Sequence, residues 1–205
     1  GECAAGINGA NRLGGNSLSD IVVFGKRAGE FAARYAKETK AGAVHAEQLD
    51  EAAHRALVPF ERGAQGSGSG ENPFQIQAEL QEMMQDLVGI VRKEDEMFRA
   101  LEGLEKLWAR ARRVAATGNR EYNPCWHTAL DLHNLLTVSD AITHSALDRK
   151  ESRGAHFRDD FPNKDAAAGK FNVVVSKATD GAMRVRREPI PEMPAERKQI
   201  IEELK

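Results

Sequence analysis

The sequence predicts a mainly α-helical protein, with a three-helix bundle at its centre and a small C-terminal β-hairpin region. Three observations predict this fold class. Apolar residues recur at helical spacing through three long stretches between residues 73 and 149. Asn123 followed by Pro124 is a strong helix start, because asparagine caps the first turn and proline suits the first helical position. Near the C-terminus, Phe171 to Lys177 and Met183 to Arg187 read as strands on either side of Thr179-Asp180-Gly181, a turn signal.

Composition bounds the answer. A chain of 205 residues can bury a sizeable core as one large or two small domains. Its apolar share of 41% and charged share of 29% are those of a soluble globular protein. A net charge of -2 points to neither nucleic acid nor an acidic substrate. Cys3 and Cys125 form no CxxC pair and no disulfide framework, which fits a reducing compartment. No apolar run approaches the length that spans a bilayer, and no signal peptide is visible. The sequence opens on Gly1-Glu2-Cys3-Ala4-Ala5 without methionine, which reads as the end of a strand or turn in a longer protein.

In chain order, Gly6 to Leu18 comes first: a glycine- and asparagine-rich loop with one arginine, Arg12, running into a helix. Such a loop lets backbone and one guanidinium approach an anion, and helix-start N–H groups favour negative charge. Ser17-Leu18-Ser19-Asp20 fits a capping box, with Asn16 or Ser17 as the cap. The helix is expected to run to about Lys37, with Gly25 and Gly29 on a small face that reads as tightly buried. A second helix is expected over Ala46 to Phe60. Residues 63–71, rich in glycine and serine, read as a flexible loop; they lack the Lys-Ser/Thr ending of a P-loop and follow no strand.

The bundle follows. Pro73 to Val91 presents Ile76, Leu80, Met83, Leu87 and Val91 on one face. Glu94 to Ala116 presents Met97, Leu101, Leu104, Trp108, Ala111 and Ala115. Pro124 to Arg149 presents Ala129, Leu132, Leu136, Ser139, Ile142 and Ala146, and Leu130, Leu135 and Val138 widen the stripe. Short connections make the three antiparallel neighbours around a core of leucine, methionine and Trp108. Beyond them lie a polar turn from Glu151 to His156 and then the hairpin. Pro189, Pro191 and Pro194 are expected to forbid regular structure before a charged helix from Ala195 to Lys205.

Candidate chemistry is sparse. Arg12 suits a carboxylate or phosphate, although a salt bridge to an acid such as Asp20 would also explain it. Glu2 could accept hydrogen bonds from ligand hydroxyls. His127, His133 and His144 share one helix, but His133 and His144 lie roughly 16 Å apart at about 1.5 Å rise per residue, so no single metal joins them. HExxH, GxSxG, GxGxxG and Walker patterns are absent, and no metal site is expected. His156 with Arg153 and Glu151 reads either as an anion site or catalytic pair, or as a hydrogen-bonded turn pinning one region to another; the turn is the preferred reading.

Three stretches carry a family resemblance. Gly1-Glu2-Cys3, with Gly9-Ala10-Asn11-Arg12-Leu13-Gly14-Gly15-Asn16-Ser17-Leu18 continuing into Val22-Val23-Phe24-Gly25, is similar to the last flavin-contacting loop of the succinate dehydrogenase and fumarate reductase flavoprotein subunits. Arg149-Lys150-Glu151-Ser152-Arg153-Gly154-Ala155-His156, with Arg158 and the acidic pair after it, resembles that family's signature after its helical bundle. The resemblance covers essentially the whole sequence.

It implies that residues 1–44 are the last turn and helix of an FAD-binding domain, 45–150 the helical bundle domain, and 151–205 the C-terminal region. It implies FAD as cofactor of the full-length parent, with Glu2 on FAD hydroxyls and the Ser17 and Leu18 backbone at the flavin ring. It implies Arg12 on the carboxylate of a dicarboxylate substrate. The implied partners are an iron–sulfur subunit and membrane anchor subunits, which would hold the protein on the cytoplasmic face of a membrane. Family members often carry histidine where this sequence has Asn8, so acid–base chemistry is not expected there. The dinucleotide fingerprint, the flavin-linking histidine and the proton-delivering arginine would lie upstream, leaving this fragment inactive by itself. Two alternatives remain: an L-aspartate oxidase-like enzyme, which shares the loop and the Glu-Ser-Arg-Gly signature, and a non-catalytic docking module for the iron–sulfur partner.

Overall fold

A computed structural model describes residues 14–64 and 70–203. Helix α1 spans Asn16–Glu38, α2 Ala46–Ala64, α3 Pro73–Val88, α4 Glu94–Ala111, α5 Pro124–Asp148 and α6 Ala195–Glu203. Four short strands, β1 Val91–Arg92, β2 Phe157–Arg158, β3 Phe171–Lys177 and β4 Met183–Pro189, and one turn of 3-10 helix at Ala168–Lys170 complete the described architecture. Strands β1 and β2 pair in parallel, and β3 and β4 form an antiparallel hairpin.

Helices α3, α4 and α5 pack pairwise, and this is where the core sits. One cluster joins Ile76 and Leu80 of α3, Leu104 and Leu107 of α4, and Leu132 and Leu136 of α5, with Val114 beside them. A second joins Val88, Met97, Ala100 and Ala146 at the other end. Fully burying one such aliphatic side chain contributes about 1.5–3 kcal/mol. Asn123 caps α5 as expected: its side-chain oxygen accepts from the Trp126 N–H at 3.0 Å, and Pro124 follows. Asn72 caps α3 in the same way through the Phe74 N–H.

Several elements end elsewhere than their periodicity predicts. Helix α3 stops at Val88, because Gly89 closes it and Val91 joins β1 instead of the apolar face. Arg92 Nε donates to the freed carbonyls of Val88 and Gly89. Helix α4 stops at Ala111 and not at Ala116. The Glu71 N–H donates to the Arg113 carbonyl and the Ala115 N–H to the Glu71 carbonyl, which draws residues 113–115 into extended pairing. On α5, Thr143 is fully buried where Ile142 was expected inside, because its hydroxyl is satisfied by the Ser139 carbonyl at 2.8 Å. Ile142, Leu135 and Val138 are exposed. Pro189 does enter a strand, opposite Phe171 at the hairpin's end, a position that tolerates a residue without an N–H donor.

The hairpin turn forms where expected. Gly181 adopts φ 85, a left-handed angle that favours glycine, and Asp180 Oδ1 accepts from the Ala182 N–H. Helix α2 runs on to Ala64 with Pro59 inside it. Its carbonyls find outside donors: Ala56 accepts the Trp126 indole N–H at 2.7 Å, and Pro59 accepts the Ala116 N–H at 2.8 Å. Residues 65–69 of the expected flexible loop lie outside the described residues.

Candidate functional site

Two regions were singled out by the sequence, and they differ in kind. The first is the loop entering α1. Glu2 and Arg12 lie outside the described residues. Ser17 and Leu18 stand in the first turn of α1, Ser17 half-buried and Leu18 exposed at 71%. The expected capping box does not form. The cap position is Gly15, at φ 84, and no side chain caps the helix. A left-handed cap suits glycine and no other residue at low strain. Among the described residues, a Cβ built at Gly14 or Gly15 meets nothing within 4 Å. The Leu18 N–H is already used, donating to the Gly15 carbonyl at 3.2 Å.

Helix α1 buries none of its residues. The tightly buried face expected at Gly25 and Gly29 is therefore open: a Cβ at either meets nothing within 4 Å. Leu18, Ile21, Val22, Phe24 and Phe31 are all exposed. The small face fits close approach of another backbone, but among the described residues nothing packs on it tightly enough to bury it.

The second region is the signature from Arg149 to Asp165, and it is closed. Glu151 is 0% exposed. Its Oε1 accepts from Arg149 Nη1 at 2.7 Å and Arg153 Nε at 2.8 Å; its Oε2 accepts from Arg153 Nη2 at 3.0 Å and the Asp165 N–H at 2.7 Å. The Arg153 hydrogen bonds, with those of the Asp165 amide and Arg149, pull the Glu151 pKa down to about 2 against the opposing effect of burial. Arg158, also 0% exposed, grips Asp160 through Nε and Nη2, both at 2.7 Å. Its Nη1 caps the end of α5 at the Ala146 carbonyl, 2.9 Å away. The Arg158 bonds, then the Glu94 N–H, hold the Asp160 pKa at about 2. Arg149 extends to the hairpin, donating to the Ala168 and Phe171 carbonyls at 2.9 Å each. The Ser152 hydroxyl accepts from the Arg158 N–H and donates to the Phe161 carbonyl.

This arrangement supports structure, not acid–base chemistry. Glu151 is ionised with both oxygens doubly occupied, and both ring nitrogens of His156 are engaged, one by Arg92 and one by the Arg149 carbonyl. No hydrogen bond joins Glu151 to His156. The turn pinning bundle to hairpin is what the fold contains, with Gly154 at φ 61 closing the Arg153–His156 backbone pair.

The histidines do not assemble a site. His133 sits edge-on to Trp108 with ring centres 4.9 Å apart, and no group of three metal-binding side chains occurs among the described residues. A groove of about 940 Å³ lies between α4, α5 and the hairpin, with Trp108, His133, Asp140 and Met183 in its lining. The Trp108 indole N–H donates to Asp140 there at 2.6 Å. Sequence reasoning missed Arg92 in the signature cluster. No local signal marks it, since its partner His156 is 64 residues away. No helix among the described residues is long and apolar enough to cross a membrane.

Comparison with known proteins gives the arrangement its context. Residues 77–199 match the family model described as fumarate reductase flavoprotein C-term. The fumarate reductase flavoprotein subunit of Mycobacterium tuberculosis is 37% identical over 194 residues, which cover 90% of this chain and 32% of that protein. The succinate dehydrogenase flavoprotein subunit of Coxiella burnetii is 39% identical over 170 residues, or 82% of this chain and 28% of that protein. Among solved structures, the Mycobacterium smegmatis Sdh1 complex in its apo form superposes with TM-score 0.84 at 41% identity, over 94% of this chain and 33% of that one. The chain thus spans about a third of the length of the curated relatives it matches. Bundle, signature turn and hairpin are those of one family, and the chain belongs to it: it corresponds to the C-terminal part of the fumarate reductase/succinate dehydrogenase flavoprotein subunits.

Proposed function

We propose that this chain is the C-terminal part of an FAD-dependent succinate/fumarate oxidoreductase, whose flavoprotein transfers hydride between a dicarboxylate and FAD and passes electrons to an iron–sulfur subunit. The observation that carries this reading is the family match over residues 77–199, continued upstream by relatives that cover 90% of the chain. On this reading residues 1–44 close an FAD-binding domain, 45–150 form the helical domain and 151–205 the C-terminal region.

The open start of α1 fits the cofactor. Among the described residues nothing lies within 4 Å of a Cβ at Gly14 or Gly15, and no side chain caps the helix start. FAD, when bound, supplies the two-electron redox centre. The chain's own residues have separable tasks. The positive end of α1, with the Ser17 N–H, favours negative charge at the flavin edge. Leu18 contributes less through its N–H, which is held by Gly15, and more through its exposed side chain. Glu2 accepts hydrogen bonds from FAD hydroxyls. Arg12 holds a substrate carboxylate through two parallel N–H···O bonds and so aligns the substrate carbon–carbon bond. The exposed apolar face of α1 is where the rest of the FAD-binding domain packs.

The fragment alone neither binds FAD tightly nor turns over. The whole flavoprotein works with an iron–sulfur subunit and anchor subunits, peripheral on the inner face of the membrane. The test is to purify the full-length flavoprotein carrying this sequence and follow its flavin absorption on adding succinate or L-aspartate. Bleaching by succinate alone supports the proposal. Bleaching by aspartate alone reassigns the chain to an aspartate oxidase, and a colourless full-length protein overturns the reading.

A further inference from the structure

The Arg92–His156 contact fixes a protonation state. Arg92 Nη1 lies 2.9 Å from His156 Nδ1, and His156 Nε2 lies 3.1 Å from the Arg149 carbonyl oxygen. A guanidinium has only donors and a carbonyl oxygen only accepts. Nδ1 must therefore be the unprotonated acceptor and Nε2 the donor, which makes the imidazole neutral.

Nothing nearby compensates a charge on that ring. The groups that face it are cationic on every side: Arg92 from the α3–α4 connection, Arg158 from β2 and Arg149 at the end of α5. The surrounding acids are already committed. Glu151 is held by Arg149 and Arg153, Asp160 by Arg158, Asp159 by Lys93 and Glu94 by Lys150. Arg92 has no carboxylate partner among the described residues. Burial first, then these guanidiniums, hold the His156 pKa below its ordinary value, against the favourable bond to the Arg149 carbonyl.

The joint it guards is short. Strands β1 and β2 pair over Val91↔Phe157 and Arg92↔Arg158, extended by the Asp159 N–H donating to the Arg92 carbonyl at 3.0 Å. We propose that His156 is an acid-sensitive latch: a proton on Nδ1 sets N–H against the Arg92 guanidinium and loosens the β1–β2 pairing, while Arg158 still ties β2 to the end of α5. The sign follows from the ring's neutrality in the closed state. A group whose folded pKa is lowered gives its full stabilisation above about pH 6.5, and closure weakens about tenfold per pH unit as pH falls toward the folded value.

The test is hydrogen–deuterium exchange on the full-length protein in its native assembly, at about pH 7.5 and about pH 5, corrected for intrinsic exchange. Peptides covering 88–93 and 157–161 are expected to lose protection at the lower pH in the wild type. His156→Gln can accept from Arg92 and donate to Arg149 without titrating, so it should keep that protection. Arg92→Gln removes the opposing charge and should blunt the acid effect even if His156→Gln folds poorly. Equal acid loss in wild type and both variants overturns the latch, as does a wild type that stays protected.

Discussion

Helix α1 and the signature turn are opposites built into one chain. Around Glu151, two buried carboxylate oxygens take four donors, and Arg158 spends its donors on Asp160 and on the last carbonyls of α5. Around Ser17, among the described residues, no side chain caps the helix start, nothing lies within 4 Å of a Cβ at its glycines, and Phe31 is exposed at 58%. A saturated cluster has nothing left to offer a ligand, so it serves to hold the bundle, the loop and the hairpin together. An open helix start beside an uncovered apolar face retains its capacity for both a ligand and a packing partner. Two stretches of equal prominence in the sequence thus divide the labour: one holds the fold, and the other is the better place to look for function.

The comparison can be broken by substitution, and the largest effect belongs to the closed region. Glu151→Ala leaves Arg149 and Arg153 without their shared carboxylate and should cost about 3–5 kcal/mol in chemical denaturation of the full-length protein. A cost near zero would mean that the cluster is not a structural joint. Acid should act on the same groups. Glu151 and Asp160 sit at about 2 in the fold, against ordinary values of 4.5 and 3.8. Their folded values are depressed, so the stability they give is complete above about pH 5 and drains away as pH falls to about 2. A pH titration of the denaturation midpoint should fall steeply there in wild type and less steeply in Glu151→Gln. Asn123→Ala removes the cap of α5 and should cost about 1 kcal/mol, read as a lower denaturation midpoint with unchanged slope. Phe31→Ala on the open face of α1 should change the stability of this chain by less than about 0.5 kcal/mol. In the full-length flavoprotein the same change should lower the flavin-to-protein ratio, if the face packs within an FAD-binding domain. Stability effects of equal size at Glu151 and Phe31 would erase the contrast.

Much of the closed half was legible in the sequence, because its signals are local. Asn123-Pro124 and the turn at Asp180-Gly181 form as their residue types dictate, and Leu80, Leu104, Leu132 and Leu136 occupy the core that their spacing assigns, whereas Leu107 joins it unassigned and Leu135 is exposed. What was not legible depends on contacts made across the chain. Glu71 ends α4 early by pairing with residues 113–115, and Arg92 ends its own strand's helix while reaching His156. Thr143 replaces Ile142 in the core because a hydroxyl bonded to the Ser139 carbonyl no longer counts as an unsatisfied polar group. The expected burial of Gly25 and Gly29 failed for a related reason: a pattern of small residues states what a helix face can approach, not whether the approaching element lies in the same stretch of chain. For the site, helical pattern placed Ser17 and Leu18 on the first turn of α1, but their flavin role came only from family resemblance; Arg12 and Glu2 were candidates by residue chemistry, and the resemblance alone gave them a dicarboxylate and FAD as partners.

The central claim is that the loop before α1 is half of a dicarboxylate–flavin site, with Arg12 as its carboxylate clamp. Rapid-mixing reduction of the flavin by succinate, in full-length wild type and Arg12→Gln, tests it most directly. The account predicts that both proteins carry flavin to the same extent, while the bleaching rate of Arg12→Gln falls by at least about a hundredfold, the loss expected when one charge-assisted clamp of about 3 kcal/mol is removed. An Arg12→Gln protein that is reduced at the wild-type rate would contradict it.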